Sequence, residues 1–280
     1  MVADTEIKAE NLAFEAQSEK SGIINQVLAG DSFELLKNID DNSVDMILTD
    51  PPYGIANEVK ITRSRNAQKF GKAKPITHDF GEWDKFDGFE DFMSFTTRWV
   101  DLAVSKLRGG GMFVSFFDRD RINFLSHYLQ LQYGFKCKGY FAFIKQNPVP
   151  QARKVKFMNG WEVAGMWQKP NGKLVFNYEN GQQPDYVFLP ICGGNERTEH
   201  PTQKPLKAVY PFIRYFTNKN DLILDPFAGS GTTLVAARNL GRRFIGIEKE
   251  LKYVDIIHRR LEKFNLKRNE ADDSQLGFDL

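Results

Sequence analysis

The 280 residues carry 38 Lys and Arg against 36 Asp and Glu, for a net charge of +2, with 41% hydrophobic residues. That length allows one large domain with a substantial core, and the near-neutral balance leaves nucleic-acid binding to local charge distribution. No stretch is long and apolar enough to span a membrane, the polar start lacks the apolar core of a signal peptide, and Cys137 and Cys192 have neither metal-ligand spacing nor a disulfide framework. These features suit a reducing cytoplasm and a chain without a metal.

Taken in order, residues 1–21 read as a flexible tail. Ile23 to Ala29 reads as a strand ending at Gly30-Asp31-Ser32, followed by a helix from Phe33 to Lys37. The apolar run Val44–Thr49 reads as a buried strand of a parallel sheet. Residues 54–88 are polar and aperiodic, and a loop of that length inside a compact domain is usually functional or disordered. A helix spans Phe89 to Leu107. Gly109 to Phe117 reads as a glycine turn into a buried strand, the three glycines serving only the turn. Arg121 to Leu131 is helical, Phe135 to Ile144 and Glu162 to Gln168 are strands, and 170–199 is a Gly-, Pro- and Asn-rich insert with a short extended run at Tyr186 to Leu189. A helix covers Leu206 to Phe216. The strand at Leu222 follows, then a helix from about Ser230 to Leu240, the strand Arg243–Glu248 and a last helix, Leu251 to Phe264. Residues 266–280 read as a second flexible tail. Seven strands alternating mostly with helices give an α/β sheet.

Two segments carry chemistry. The strand Val44–Thr49 presents Asp50-Pro51-Pro52-Tyr53 at its C-terminal end, where open α/β sheets bind ligands. The prolines stiffen the backbone and lack N–H donors, so the carbonyls there are left to accept hydrogen bonds. Asp50 and the Pro51 carbonyl suit the two protons of an exocyclic amine, and Tyr53 suits stacking on a flat ring. The second segment, Asp225-Pro-Phe-Ala-Gly-Ser-Gly-Thr232, runs from a buried strand into a helix N-terminus. Glycine allows close backbone approach and the helix start offers N–H donors, as a nucleotide-like cofactor requires. It is not a P-loop, because no Lys precedes the Ser/Thr, and Gly229-Ser-Gly231 lacks the third glycine of a dinucleotide fingerprint. Glu248 ends the next strand, where an acid can hold ribose hydroxyls.

Together these motifs resemble the N4/N6 amino-DNA-methyltransferase family, over a span from about Gly22 to Phe264. The catalytic motif comes before the cofactor motif, an order similar to that of the family's β class. The resemblance implies a Rossmann-like S-adenosylmethionine-dependent methyltransferase fold, with a seven-stranded, mostly parallel sheet containing one antiparallel strand, in a single catalytic domain over residues 22–265. It implies Asp50, Pro51, Pro52 and Tyr53 as catalytic residues. It implies S-adenosyl-L-methionine contacts from Asp31, Ser32, Asp50, Thr202, Lys204, Asp225, Pro226, Phe227, Gly229, Ser230, Gly231, Thr232 and Glu248. The segment His200-Pro-Thr-Gln-Lys-Pro205 would flank the methionine end of that cofactor, with His200 itself structural. An Asp-led catalytic motif favours adenine N6 in a flipped-out nucleotide of double-stranded DNA. The alternatives are cytosine N4, RNA or a protein amide, and a decayed DNA-binding protein.

DNA contact is expected from the 54–88 loop through Arg63, Arg65 and Lys69, in its basic part, 54–78, which also holds Lys60, Lys72 and Lys74 against the single acid Glu58. Lys145, Asn147, Arg153 and Lys154 are expected to add to it, and the 170–199 insert to share target recognition. A homodimer partner, as in much of the β class, and a cognate restriction endonuclease are further expectations, in a bacterial cytoplasm or from a phage acting in one.

Overall fold

The computed structural model describes residues 22–53, 86–148, 155 and 157–270, with side chains to Lys263. Among them, eight strands form one sheet in the order β1-β8-β7-β2-β3-β5-β4-β6. The strands are β1 (Gln26–Ala29), β2 (Val44–Thr49), β3 (Leu107–Phe117), β4 (Lys136–Lys145), β5 (Trp161–Gln168), β6 (Tyr186–Leu189), β7 (Leu222–Asp225) and β8 (Arg243–Glu248). Only β5 runs antiparallel, against both β3 and β4. The expected seven strands become eight because the run at Tyr186 is a true strand. It pairs in parallel with β4 from Ala142↔Tyr186 to Lys145↔Leu189, so part of the 170–199 insert extends the sheet.

The helices are α1 (Ser32–Leu35), α2 (Gly88–Lys106), α3 (Ile122–Tyr133), α4 (Leu206–Phe216), α5 (Thr232–Asn239) and α6 (Leu251–Glu270). The last runs beyond Phe264, so 266–270 continue a helix where the sequence suggested a tail. Strand side chains alternate between the two faces. In β2, Met46 and Leu48 join a core with α4, α5 and Ile257 of α6, whereas Val44 and Ile47 join a core with α2 and α3. Both faces of the central strands are covered, which is why all six residues of β2 are buried, Asp45 among them, whose carboxylate accepts from Arg108 and from the Leu222 N–H.

The three glycines at 109–111 lie inside β3 and do more than turn the chain. A Cβ on Gly109 would stand 2.2 Å from the Asn171 carbonyl oxygen, and one on Gly110, whose φ is +77°, 2.4 Å from that of Lys173. Gly109 and Gly110 permit the backbone of 170–173 to close over the strand, and Gly111 lets the Asp45 carbonyl of β2 approach to 2.7 Å from where a Cβ would stand.

The order of the sheet matters most at its centre. From β7 the chain goes on to β8 on one side, and from β2 it goes on to β3 on the other. Parallel pairing of Ile47 with Leu224 sets the C-terminal ends of β2 and β7 side by side. A crevice therefore opens where the strand order reverses, the usual ligand site of such sheets. It receives Asp50-Tyr53 from one end of the chain and Asp225-Thr232 from the other.

Candidate active site

The crevice is a cleft of about 350 Å³, a size within the range of small-molecule sites. Its floor is the turn after β7. The Gly231 N–H bonds the Ala228 carbonyl at 2.7 Å, and φ is +54° at Gly229 and +78° at Gly231. Gly229 also lies under the His200 ring, with space for a Cβ only 3.1 Å from Nε2. Glu248, at the end of β8, accepts from the Gly229 N–H and the Glu250 N–H, each at 2.8 Å. Burial raises its pKa. Glu248 thus shapes the turn while lining the cleft, and each carboxylate oxygen retains capacity for a further donor.

The neighbouring strand end supplies Asp31 and Ser32. Asp31 caps α1 through the Phe33 N–H at 2.9 Å and faces Lys249 at 3.1 Å. The buried Ser32 hydroxyl donates to the Pro226 carbonyl at 2.5 Å, tying the first turn of the chain to the cofactor-type turn. Phe227 forms an aromatic wall with Phe95 and Trp99, at centroid distances of 5.9 and 5.4 Å. Thr202, Lys204, Asp225, Pro226, Ser230 and Thr232 also line the cleft.

Asp225 lies beneath, accepting from the Thr49 hydroxyl at 2.7 Å and the Phe227 N–H at 3.1 Å. Burial pushes its pKa up from 3.8 to about 7, against the opposing pull of those bonds. Between these two values the folded protein holds a proton the unfolded chain has lost. Its stability therefore falls as pH rises across that window, and the penalty is complete above it. Asp225→Asn removes the penalty. Denaturant unfolding should show a stabilisation of Asn over Asp that is larger at pH 8 than at pH 5, by on the order of 2 kcal/mol. Equal differences at both pH values would contradict this account.

At the cleft's other end stands Asp50. Its Oδ2 accepts from Lys204 Nζ at 2.5 Å, and Lys204 also lies 3.3 Å from Glu162 Oε2. Glu162 Oε1 in turn meets Lys145 Nζ at 2.7 Å. Burial opposes the Lys204 charge, but Asp50 and Glu162 outweigh it and hold the ammonium well above the usual lysine range. Burial likewise opposes the Glu162 carboxylate, and Lys204 and Lys145 bring it down to about 2. Lys204, expected at the methionine end of the cofactor, is thus also the counter-ion of Asp50. Pro51 is buried, and Tyr53 stands edge-on to Phe117 at 6.2 Å.

Three residues that support the site were not singled out from sequence. Arg121 donates to the Tyr53 carbonyl at 2.9 Å and lies over the Phe92 ring. Arg260 of α6 reaches the Ser230 carbonyl at 2.7 Å and the Ser230 and Thr232 hydroxyls at 3.1 Å. Glu162 had a visible signal, as the lone charge in the strand Trp161-Glu-Val-Ala-Gly-Met-Trp-Gln168. The two arginines had none, because only the fold brings them to the turns. His200 lines the cleft above Gly229. It packs at 4.3 Å on Tyr253, and burial with its cationic neighbours keeps it neutral, pushing its pKa down to about 4.

Of the residues expected on DNA, Arg63, Arg65, Lys69, Arg153 and Lys154 lie outside the described residues. Lys145 is engaged with Glu162, and the Asn147 side-chain oxygen accepts from the Ile191 N–H at 2.8 Å, joining the exit of β4 to the insert. No cluster of three or more metal-type ligands occurs among the described residues, and no described helix is long and apolar enough to cross a membrane.

The cleft fits S-adenosylmethionine. A glycine turn with two left-handed residues admits a ligand to its backbone, carboxylates end the adjacent strands β1 and β8, and an aromatic wall stands beside them. The comparisons with known proteins agree. The family model for DNA methylases of the N6/N4 type matches residues 44–259. The type II methyltransferase M.HinfI of Haemophilus influenzae is 33% identical over 267 residues, which are 89% of this chain and 71% of that protein. M2.LlaDCHI of Lactococcus lactis subsp. cremoris is 35% identical over 245 residues, covering 83% and 87%. Among solved structures, the M1.HpyAVI complex with S-adenosylmethionine superposes with a TM-score of 0.63 at 29% identity, covering 84% of this chain and 98% of the other. With its cleft, its two motifs and these relatives, the chain belongs to the N6/N4 DNA methylase family and is an S-adenosylmethionine-dependent DNA methyltransferase.

Proposed function

We propose that the enzyme methylates the N6 amine of adenine within a short, specific site of double-stranded DNA, on a nucleotide turned out of the helix. The observation that carries this reading is Asp50, held by Lys204 at the mouth of the cofactor cleft and followed by Pro51-Pro52-Tyr53. When bound, S-adenosylmethionine supplies a methyl group activated on a sulfonium sulfur. An aromatic amine is a poor nucleophile because its lone pair is spread into the ring. Asp50 and the Pro51 carbonyl accept the two N–H bonds of the amine and draw its nitrogen toward tetrahedral geometry, which localises that pair. Asp50 then takes up the proton the amine loses, or passes it to water. Tyr53, held through its carbonyl by Arg121, stacks on the base. The work of the protein is positioning and electrostatics. A target inside the duplex is out of reach, so the nucleotide must be extruded.

The Asp that leads the motif favours adenine over cytosine. The basic run between Lys60 and Lys74 supports phosphate contacts, and with them a DNA duplex as substrate. Relatives named type II methyltransferases support a restriction endonuclease of the same target as a companion, in the cytoplasm of a bacterium. Expression in a host that lacks DNA methylation, followed by sequencing that reads modified bases, tests the proposal. N6-methyladenine is expected at nearly every copy of one short motif. An unmodified genome, or one carrying N4-methylcytosine, would overturn it.

A further inference from the structure

We propose that Glu162 is a positioning residue for methyl transfer, acting through Lys204 on the carboxylate of Asp50. The proposal rests on the methyl-transfer reading above and adds to it a residue outside both motifs. β5 is the antiparallel strand of the sheet. Its reversed direction brings its first residues to the edge where the other strands end, since Ile144 pairs with Trp161 and Phe117 with Val163. Glu162 therefore faces the catalytic edge from a rigid strand, while Lys204 and Asp50 stand on loop residues.

The result is a row of alternating charges, Lys145, Glu162, Lys204 and Asp50, with successive N···O distances of 2.7, 3.3 and 2.5 Å and a formal sum of zero. Lys204 has four rotatable side-chain bonds, and one ion pair to Asp50 leaves its ammonium free to swing. A second carboxylate, itself pinned by Lys145, fixes that ammonium between two anchors. The orientation of the Asp50 carboxylate follows. Without the Glu162 charge, two ammonium groups would share one carboxylate, and their repulsion would move Lys204. The ammonium also lies 4.9 Å from the centre of the Phe116 ring and 5.8 Å from that of Tyr53, so a shift of Lys204 would change its contact with the catalytic aromatic as well. A displacement of about 1 Å at a reacting group can cost on the order of a hundredfold in rate.

Methyl transfer to DNA under single-turnover conditions, with cofactor affinity measured separately, tests the proposal on the full chain. Glu162→Gln, which keeps the size and a hydrogen-bonding group, should lower the transfer rate by about tenfold to a hundredfold. S-adenosylmethionine affinity should fall by clearly less than the rate, because Glu162 does not line the cleft and Lys204 is one of many residues that do. In a Lys204→Met background the same substitution should change the rate by less than about twofold, since the residue through which it acts is gone. Three results would overturn the proposal: an unchanged rate in Glu162→Gln, losses that multiply in the double variant, or an equal loss of cofactor affinity and rate. A wild-type enzyme that labels no DNA would instead overturn the methyl-transfer reading on which the proposal stands, so the two failures are distinguishable.

Discussion

Asp50→Asn is expected to lower methyl transfer by about a thousandfold or more, in line with removal of a preorganised charged partner at a reacting centre. S-adenosylmethionine affinity should remain within a few-fold. The two effects separate because the Asp50 carboxylate engages Lys204 at the mouth of the cleft, whereas the cofactor-type turn is built by other residues. Gly229 and Gly231 set its backbone, Glu248 holds it from β8, and Arg260 holds it from α6. None of these contacts passes through Asp50. The amide of Asn keeps the shape of the side chain but lacks the charge that draws on the amine protons. Lys204 retains Glu162 as a partner, so the ammonium is not stranded and the protein should still fold. Initial rates on DNA, together with equilibrium dialysis of the cofactor, check both halves. Unchanged turnover would remove Asp50 from the mechanism, and loss of both properties together would make it a structural residue.

The second large effect is expected at Gly231. Its φ of +78° places it in the left-handed region, and a Cβ there would stand 2.8 Å from Cγ2 of Ile257 in α6. Gly231→Val meets both obstacles. The backbone conformation costs about 1–2 kcal/mol for a side-chain-bearing residue and more for a β-branched one, and forcing extra carbon into a packed contact adds about 1–3 kcal/mol. The sum, about 2–5 kcal/mol, is a large fraction of the usual domain stability of about 5–15 kcal/mol. Any folded fraction should also bind S-adenosylmethionine poorly, because relief comes only by moving the turn that lines the cleft. Gly241 is the control. Its φ is +71°, yet nothing lies within 4 Å of its Cβ position, so Gly241→Val should cost only the backbone strain. Thermal unfolding and cofactor binding of the two variants should rank them in that order. Equal losses would show that the contact with Ile257 adds nothing.

The parts of this protein that were legible from sequence are those with a local cause. Val44–Thr49 is buried on both faces, so it reads as mostly apolar, with only Asp45 charged, and its end at Asp50-Pro51 is unambiguous. Leu206–Phe216 is helical over the span its periodicity indicates. The two motifs were legible because prolines after an Asp, and glycines before a helix, have strong local meaning. What the sequence concealed is non-local. The strand at Tyr186 is only four residues long and gains its identity by pairing with β4. The glycines of β3 looked like a turn because their reason, the backbone of Asn171 to Lys173, lies some sixty positions away. The bond from Arg260 to Ser230, like the reach of Glu162 to Lys204, depends on elements that only the finished sheet brings together. Asp31 combines two places in the fold, since it caps α1 and lines the cleft.

The account stands or falls on where the methyl group goes. The most direct measurement is transfer of labelled methyl from S-adenosylmethionine to unmethylated genomic DNA by the purified wild-type enzyme, followed by digestion to nucleosides. The label should appear in N6-methyladenine, and a parallel reaction with Asp50→Asn should show almost none. Label in N4-methylcytosine would contradict the assignment of the base, and label absent from DNA while the enzyme still binds the cofactor would contradict the account as a whole.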